Sequence, residues 1–138
     1  MRKSIHLILI GCIPLIMGAL VNVLVTSGIS MPVFLISLIA LFIWYFIGRR
    51  YGIGNSEYML INTPAIFFFM LVVVQEIALG AYMQGAIGML SQMFFLPFVS
   101  AGALVAGWTG SMAGIYTGCF ILMLLCSYIG ARQRMRSR

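Results

Sequence analysis

The stretch PVFLISLIALFIWYFIGRR, from Pro32 to Arg50, decides the fold class of this chain. It is apolar for most of its length and ends in Arg49 and Arg50. The hydrocarbon core of a bilayer takes about 20 apolar residues of helix, and Lys and Arg gather on its cytoplasmic flank. Trp44 and Tyr45 match the aromatic belt of a membrane interface. The stretch therefore predicts a transmembrane helix that ends at the cytoplasm.

The rest of the chain has the same composition. Of its 138 residues, 63% are hydrophobic and only 7% are charged, with a mean hydropathy of +1.14. Soluble domains carry about 25% charged residues. The length allows four or five spans and leaves almost nothing for a soluble domain. We therefore expect one polytopic, all-α integral membrane domain over residues 1–138.

Four segments are predicted to span the bilayer. They cover approximately residues 5–25, 32–48, 64–82 and 112–130. A fifth apolar segment, residues 86–107, contains Gln92 and Pro97 and suits lipid less well than its neighbours. Length and hydropathy favour five transmembrane helices, whereas the positions of the basic residues favour four plus a re-entrant or interfacial segment. We expect the second arrangement and keep five helices as the alternative.

The basic residues form clusters at the ends of apolar segments. Arg2 and Lys3 at the start of the chain predict a protein of the cytoplasmic membrane whose N-terminus lies on the inner, cytoplasmic side. Four spans return the C-terminus to the same side. The tail RQRMRSR can also bind anionic lipid. This distribution does not predict a nucleic-acid partner. The arginines assigned to topology or lipid headgroups are Arg49, Arg50, Arg132, Arg134, Arg136 and Arg138.

Glu76 is the acid that the predicted spans contain; the second acid, Glu57, lies in a loop. Counted from Pro64 as a first helical residue, Glu76 lies about 18 Å along the helix. An ionised carboxylate at that depth costs a few kcal/mol unless it is neutralised, paired or hydrated. No basic residue is expected at its level, so we expect hydrogen-bonding partners.

A set of polar residues is expected near Glu76 toward the outside. Asn22, for example, lies about 25 Å along the first span. Such a set either fixes helix pairing or binds a ligand, since ionisable groups inside membranes often mark pathways. The candidate site residues are Glu76, Gln75, Asn22, Tyr82, Gln84, Gln92 and Tyr116.

Small residues recur at a spacing of four near the end of the chain. This spacing lines one helix face with small residues and allows close approach of another helix, within the monomer or between copies. The predicted packing residues are Gly102, Ala106, Gly110, Gly114 and Gly118.

Enzyme motifs are missing from the sequence. There is no aspartate for a Ser/His/Asp arrangement, no metal-ligand spacing around the lone His6 and no phosphate-binding loop. We therefore expect no catalytic residue, no metal and no cofactor. The function that we predict is transport or channel activity, in an oligomer, with an intramembrane carboxylate site for a proton, small cation or lipid-like ligand. The alternative is a non-catalytic accessory or immunity-like subunit that docks on another membrane protein.

Overall fold

The computed structural model describes residues 2–27, 32–52, 54–76 and 85–136, and every regular element in these ranges is a helix. The helices are α1 (Arg2–Gly11), α2 (Ile13–Thr26), α3 (Val33–Tyr51), α4 (Asn55–Val74), α5 (Gly85–Phe95), α6 (Val99–Ala106) and α7 (Met112–Arg136). Within the described ranges, five stretches are long and apolar enough to cross a membrane: Lys3–Thr26, Val33–Tyr51, Asn55–Val74, Gly85–Thr109 and Met112–Met135. The prediction of an all-helical chain is confirmed for the described residues, and the length and composition of these helices are compatible with a multi-pass membrane protein.

The first stretch consists of α1 and α2, which follow one another with an interruption at Cys12. The amide of Cys12 donates to the carbonyl of Leu9 at 3.1 Å, a tighter turn than that of an α-helix. Pro14 follows in the first turn of α2, where its missing N–H would have no helical partner anyway. The interruption therefore has a local cause in the sequence.

Helix α4 begins at Asn55 rather than at Pro64, so the third segment starts earlier than predicted. Asn62 and Thr63, just before Pro64, lie inside the helix, and each side chain donates to a carbonyl one turn earlier at 2.9 Å. Pro64 is buried inside the helix, where it lacks one backbone hydrogen bond. Its ring packs on α1 near Gly11, and this tertiary contact overrides the local preference of proline for a helix start.

The stretch Gly85–Thr109 is not a uniform helix. A 3₁₀ turn, Leu96–Phe98, separates α5 from α6, and a second one, Gly107–Thr109, follows α6. Gly110 then has φ +66°, a left-handed conformation that glycine adopts at little cost, and α7 begins two residues later. The chain therefore turns between α6 and α7.

Helices α3 and α7 form the largest helix–helix contact, and their backbones approach closely. A Cβ atom at Gly48 would lie 2.6 Å from the Cα of Ser127, and one at Gly130 would lie 2.9 Å from the amide nitrogen of Arg49. Small residues thus allow close packing, which drives helix association in lipid.

The basic residues of different helices meet at one end of the bundle. Lys3 at the start of α1 forms an ion pair with Glu57 at the start of α4, with 2.6 Å between Nζ and Oε1. Arg134 near the end of α7 donates from one guanidinium nitrogen to the backbone carbonyls of Arg49, at 3.2 Å, and Arg50. We call this the basic end and the other the opposite end.

Aromatic side chains fill the middle of the bundle. Phe94, Phe95 and Phe98 are fully buried. The ring of Phe94 stacks on that of Phe68, with centroids 4.6 Å apart, and other core aromatics pair similarly. The break between α5 and α6 is therefore packed inside protein.

Candidate functional site

Gln75 and Glu76 follow directly after α4, in a single π turn. The side chain of Gln75 is buried, and its Oε1 atom has no hydrogen-bond partner among the described residues. Glu76, one residue further, is exposed. The two predicted site residues are thus neighbours at the opposite end, one turned into the bundle and one to its surface. A buried amide oxygen without a partner can accept a hydrogen bond from water or a ligand.

The other predicted site residues are distributed around the same half of the bundle. Asn22 is half-buried near the end of α2, and Gln92 is exposed on α5. Tyr116 is buried in the first part of α7, where its ring lies 5.5 Å from that of Phe95. In the part of the chain that the structure describes, no hydrogen bond joins Asn22, Gln75, Glu76 and Gln92 to one another. Tyr82 and Gln84 lie outside the described residues.

Two further buried polar atoms lie on α3. Ser37 Oγ and Trp44 Nε1 are buried and have no hydrogen-bond partner within the described ranges. The two residues are seven apart, so they share one face of the helix. The ring of Trp44 lies in the hydrophobic core with 1% exposure, so protein side chains cover it. Hydropathy alone does not distinguish a tryptophan at the interface from one that a neighbouring helix covers.

A polar contact between α4 and α7 was not predicted. The hydroxyl proton of Ser127 is shared between Asn62 Oδ1, at 3.3 Å, and the carbonyl of Leu124 on its own helix, at 3.0 Å. The side chains of Ser127 and Asn62 are fully buried. Nearby, the hydroxyl of Tyr58 donates to the carbonyl of Leu124 at 3.1 Å. The sequence shows an amide side chain on one apolar segment and a hydroxyl on another. It does not indicate the register of the two helices, which decides whether these side chains meet.

The predicted stripe of small residues is divided between two helices. Gly102 and Ala106 belong to α6, Gly114 and Gly118 belong to α7, and Gly110 lies in the turn between them. A Cβ at Gly118 would lie 2.9 Å from the carbonyl oxygen of Gly102. The residues therefore do not line a single helix face, because the chain reverses at Gly110. Two of them instead face each other within the monomer.

The arginines assigned to topology lie at the basic end. Arg49, Arg50 and Arg132 are exposed and Arg134 is half-buried. Arg136 is the last residue of α7, and Arg138 lies outside the described residues. These positions bring one pair from α3 and one residue from α7 into contact.

No group of three or more His, Cys, Asp or Glu side chains that could hold a metal occurs within residues 2–27, 32–52, 54–76 and 85–136. Comparison with protein-family models, curated proteins and solved structures finds no match to this chain.

Proposed function

We propose that this chain is a small, non-enzymatic transport-type or channel-type membrane protein that works as an oligomer. The observation that carries the proposal is the broken helical stretch Gly85–Thr109, whose 3₁₀ turn is buried in the bundle. Pro97 and Phe98 in this turn are both buried. Irregular backbone at membrane depth occurs where protein covers it or where it lines a cavity, and broken helices are typical of substrate sites in transporters.

In this proposal the protein crosses the membrane four times, and α5 and α6 form a re-entrant pair. The support comes from helix order. Helix α4 starts at the basic end and therefore finishes at the opposite end. Helix α7 finishes at the basic end and therefore starts at the opposite end. A segment that joins these two points enters and leaves on one side. The 25 residues of Gly85–Thr109 also have the length of one crossing, which is the basis of the five-helix alternative.

The neighbours of α5 and α6 support the re-entrant arrangement. Helix α5 packs on α2 and α4, whereas α6 packs on α7 and α3. Gly18 on α2 is so close to Met93 that a Cβ there would lie 2.6 Å from the Met93 carbonyl carbon. On the other side of the break, Gly102 approaches Ile115 and Thr109 approaches Gly114, so α6 runs antiparallel to α7 toward the opposite end. The 3₁₀ turn then marks the deepest point of the pair.

We assign the basic end to the cytoplasm, since Lys and Arg near membrane segments are retained there. Both termini then lie on the cytoplasmic side of the cell membrane. Gln75 and Glu76 lie at the outer side, with Gln75 Oε1 facing inward. A carboxylate at a pore or site entrance attracts cations, and a neighbouring amide oxygen can accept a hydrogen bond or coordinate a small cation. We propose that these residues form the outer part of a site for a proton, a small cation or the polar part of a lipid-like ligand.

Flux measurements on proteoliposomes test the activity. The purified chain is reconstituted with an internal pH-sensitive dye for protons, and separately under sodium and potassium gradients. We expect a flux above that of empty vesicles, reduced at least about tenfold by Glu76→Gln, with a smaller loss for Gln75→Leu. Glu57→Gln is the matched control, because it removes the same charge at the basic end and should keep most of the flux.

Two results would contradict the transport proposal. Equal flux in wild type and Glu76→Gln would exclude the assigned site. No flux of any of the three ions, from a chain that runs as a monomer, would favour the alternative of an accessory or immunity-like subunit that docks on another membrane protein.

Topology is tested independently of activity. A reporter fused after Arg138 should lie in the cytoplasm, and one inserted after Gly110 should lie outside. A reporter after Arg138 that lies outside would overturn the four-crossing arrangement and support five crossings.

A further inference from the structure

A cavity at the basic end is lined mainly by arginines. Its volume is about 390 Å³, and its lining residues are Phe46, Arg49, Arg50 and Arg134. The first three belong to the last two turns of α3, and the fourth belongs to α7. Side chains from two helices thus place three cationic groups around one space. An anion is the ligand class that such a lining favours.

The position of Arg134 is determined by specific contacts. Its guanidinium donates to the carbonyls of Arg49 and Arg50, which are among the last carbonyls of α3 and lack helical partners. One residue earlier, Gln133 Oε1 accepts a hydrogen bond from the hydroxyl of Tyr45. The close approach of α3 and α7 at Gly48 allows these contacts. The arginine cluster is therefore a built feature of the helix pair and not a set of independent surface residues.

An apolar groove continues from the cavity along α3 toward the middle of the membrane. Its volume is about 470 Å³, and its lining residues are Phe42, Ile43, Phe46, Ile47, Arg50 and Tyr51. Phe46 and Arg50 line both spaces, so the cavity and the groove adjoin. Phe42 lies two turns above Arg50, about 12 Å along the helix axis. Phe42 and Phe46 are exposed and pack edge to face with centroids 4.8 Å apart.

We propose that this cavity and groove bind one anionic glycerophospholipid. The phosphate contacts Arg49, Arg50 and Arg134, and an acyl chain lies along Phe42 and Phe46. Guanidinium groups bind phosphate oxygens through paired hydrogen bonds, and basic pockets between transmembrane helices bind acidic lipid headgroups. The lining is cationic at the membrane surface and apolar toward the middle of the membrane. A phospholipid has the same arrangement, with an anionic headgroup at the surface and acyl chains toward the middle. A soluble anion would use only the arginines.

The end of α7 offers a matched comparison. Residues 128–132 read YIGAR where residues 46–50 of α3 read FIGRR. A smaller cavity of about 240 Å³ lies here, lined by Tyr128, Ile129, Arg132 and Gln133. It has a single arginine. Arg132 is exposed, as Arg50 is, and both lie near the basic end. Substitution of Arg132 therefore removes one charge from the same end without altering the proposed site.

Native mass spectrometry of the full chain in a neutral detergent tests the proposal. Dioleoylphosphatidylglycerol is titrated against dioleoylphosphatidylcholine, and inorganic phosphate is used as the soluble anion. We expect the anionic lipid to bind at least about tenfold more tightly than the zwitterionic one. Arg50→Gln should weaken it about fivefold, the effect of one basic residue at a membrane surface, whereas Arg132→Gln should change it less than twofold. Arg50→Lys, which keeps the charge, should bind better than Arg50→Gln and controls for folding.

The apolar part of the site is tested by Phe46→Ala. We expect weaker binding of phosphatidylglycerol and no change in the binding of inorganic phosphate. Equal losses for Arg50→Gln and Arg132→Gln would overturn the proposal in favour of general attraction to a basic surface. Inorganic phosphate that binds as tightly as the lipid would overturn it in favour of a soluble-anion site.

Discussion

At the basic end, polar side chains connect different helices, whereas at the opposite end they bond mainly within their own segment. Lys3 reaches Glu57, and Arg134 reaches the end of α3. At the opposite end, the hydroxyl of Thr26 donates to the carbonyl of Asn22 on the same helix, and Gln75 Oε1 has no partner among the described residues. Inter-helix bonds restrict relative motion, and free acceptors are available to ligands. Under the proposed function, the basic end is the fixed base of the bundle and the opposite end interacts with a substrate.

The largest expected effect tests the close contact between α2 and α5. In Gly18→Ala the new methyl group would overlap the backbone of Met93, so α2 and α5 must separate. We expect a loss of about 3 kcal/mol in the free energy of unfolding, the upper part of the range for overpacking. Chemical unfolding in mixed micelles measures it. Gly107→Ala, whose new methyl group meets no atom within 4 Å, is the control and should stay within about 0.5 kcal/mol of wild type.

A smaller loss is expected where α3 and α7 cross at the basic end. Gly48→Ala and Gly130→Ala each place a methyl group against the backbone of the partner helix, and each should cost about 2 kcal/mol. Both substitutions widen the same crossing, so the double variant should cost less than the sum. The same unfolding experiment on the two single variants and the double variant decides this. Fully additive losses would show that the two contacts are independent.

The buried contact between α4 and α7 should contribute less. Ser127→Ala leaves Asn62 Oδ1 without its donor, and we expect a loss of about 1 kcal/mol, typical of inter-helix hydrogen bonds in membranes. Thr117→Ala is the control, because the Thr117 hydroxyl donates to Ala113 on its own helix. A double-mutant cycle of Asn62→Leu with Ser127→Ala measures the coupling. A coupling energy of zero would show that the contact does not hold the helices together.

The smallest effect is expected for the ion pair between Lys3 and Glu57. The Lys3 side chain is 81% exposed, so solvent screens the attraction. We expect Lys3→Gln to cost at most about 0.5 kcal/mol, and salt at 1 M to remove the difference. A loss above 1 kcal/mol that persists in high salt would show that this pair also fixes the basic end.

Parts of the fold followed directly from the sequence. Apolar segments closed by arginines, such as the one that ends at Arg49 and Arg50, predict helices of membrane length because lipid leaves every backbone polar group to be satisfied within the segment. The start of α4 was not predictable in this way. Pro64 marks a helix start in isolation, and only its packing against α1 keeps it inside a longer helix.

The candidate site was predictable only as a set of residues. The rarity of acids in apolar segments drew attention to Glu76, and the structure puts it beside a buried Gln75 whose amide oxygen lacks a partner. Nothing in the residue types indicated that Trp44 would be buried or that Asn62 would meet Ser127. Such pairings depend on the rotation and register of helices that are far apart in sequence.

The sequence by itself determined the all-helical class and the clustering of positive charge, because both depend on composition and on order along one chain. The tertiary structure decided which glycines serve in packing, which polar atoms are satisfied and where three arginines converge. Gly102 and Gly118, sixteen residues apart, face each other because the chain reverses at Gly110. Arg134 joins Arg49 and Arg50 because two glycines allow the ends of α3 and α7 to approach. These outcomes follow from backbone distances between helices, which no local pattern encodes.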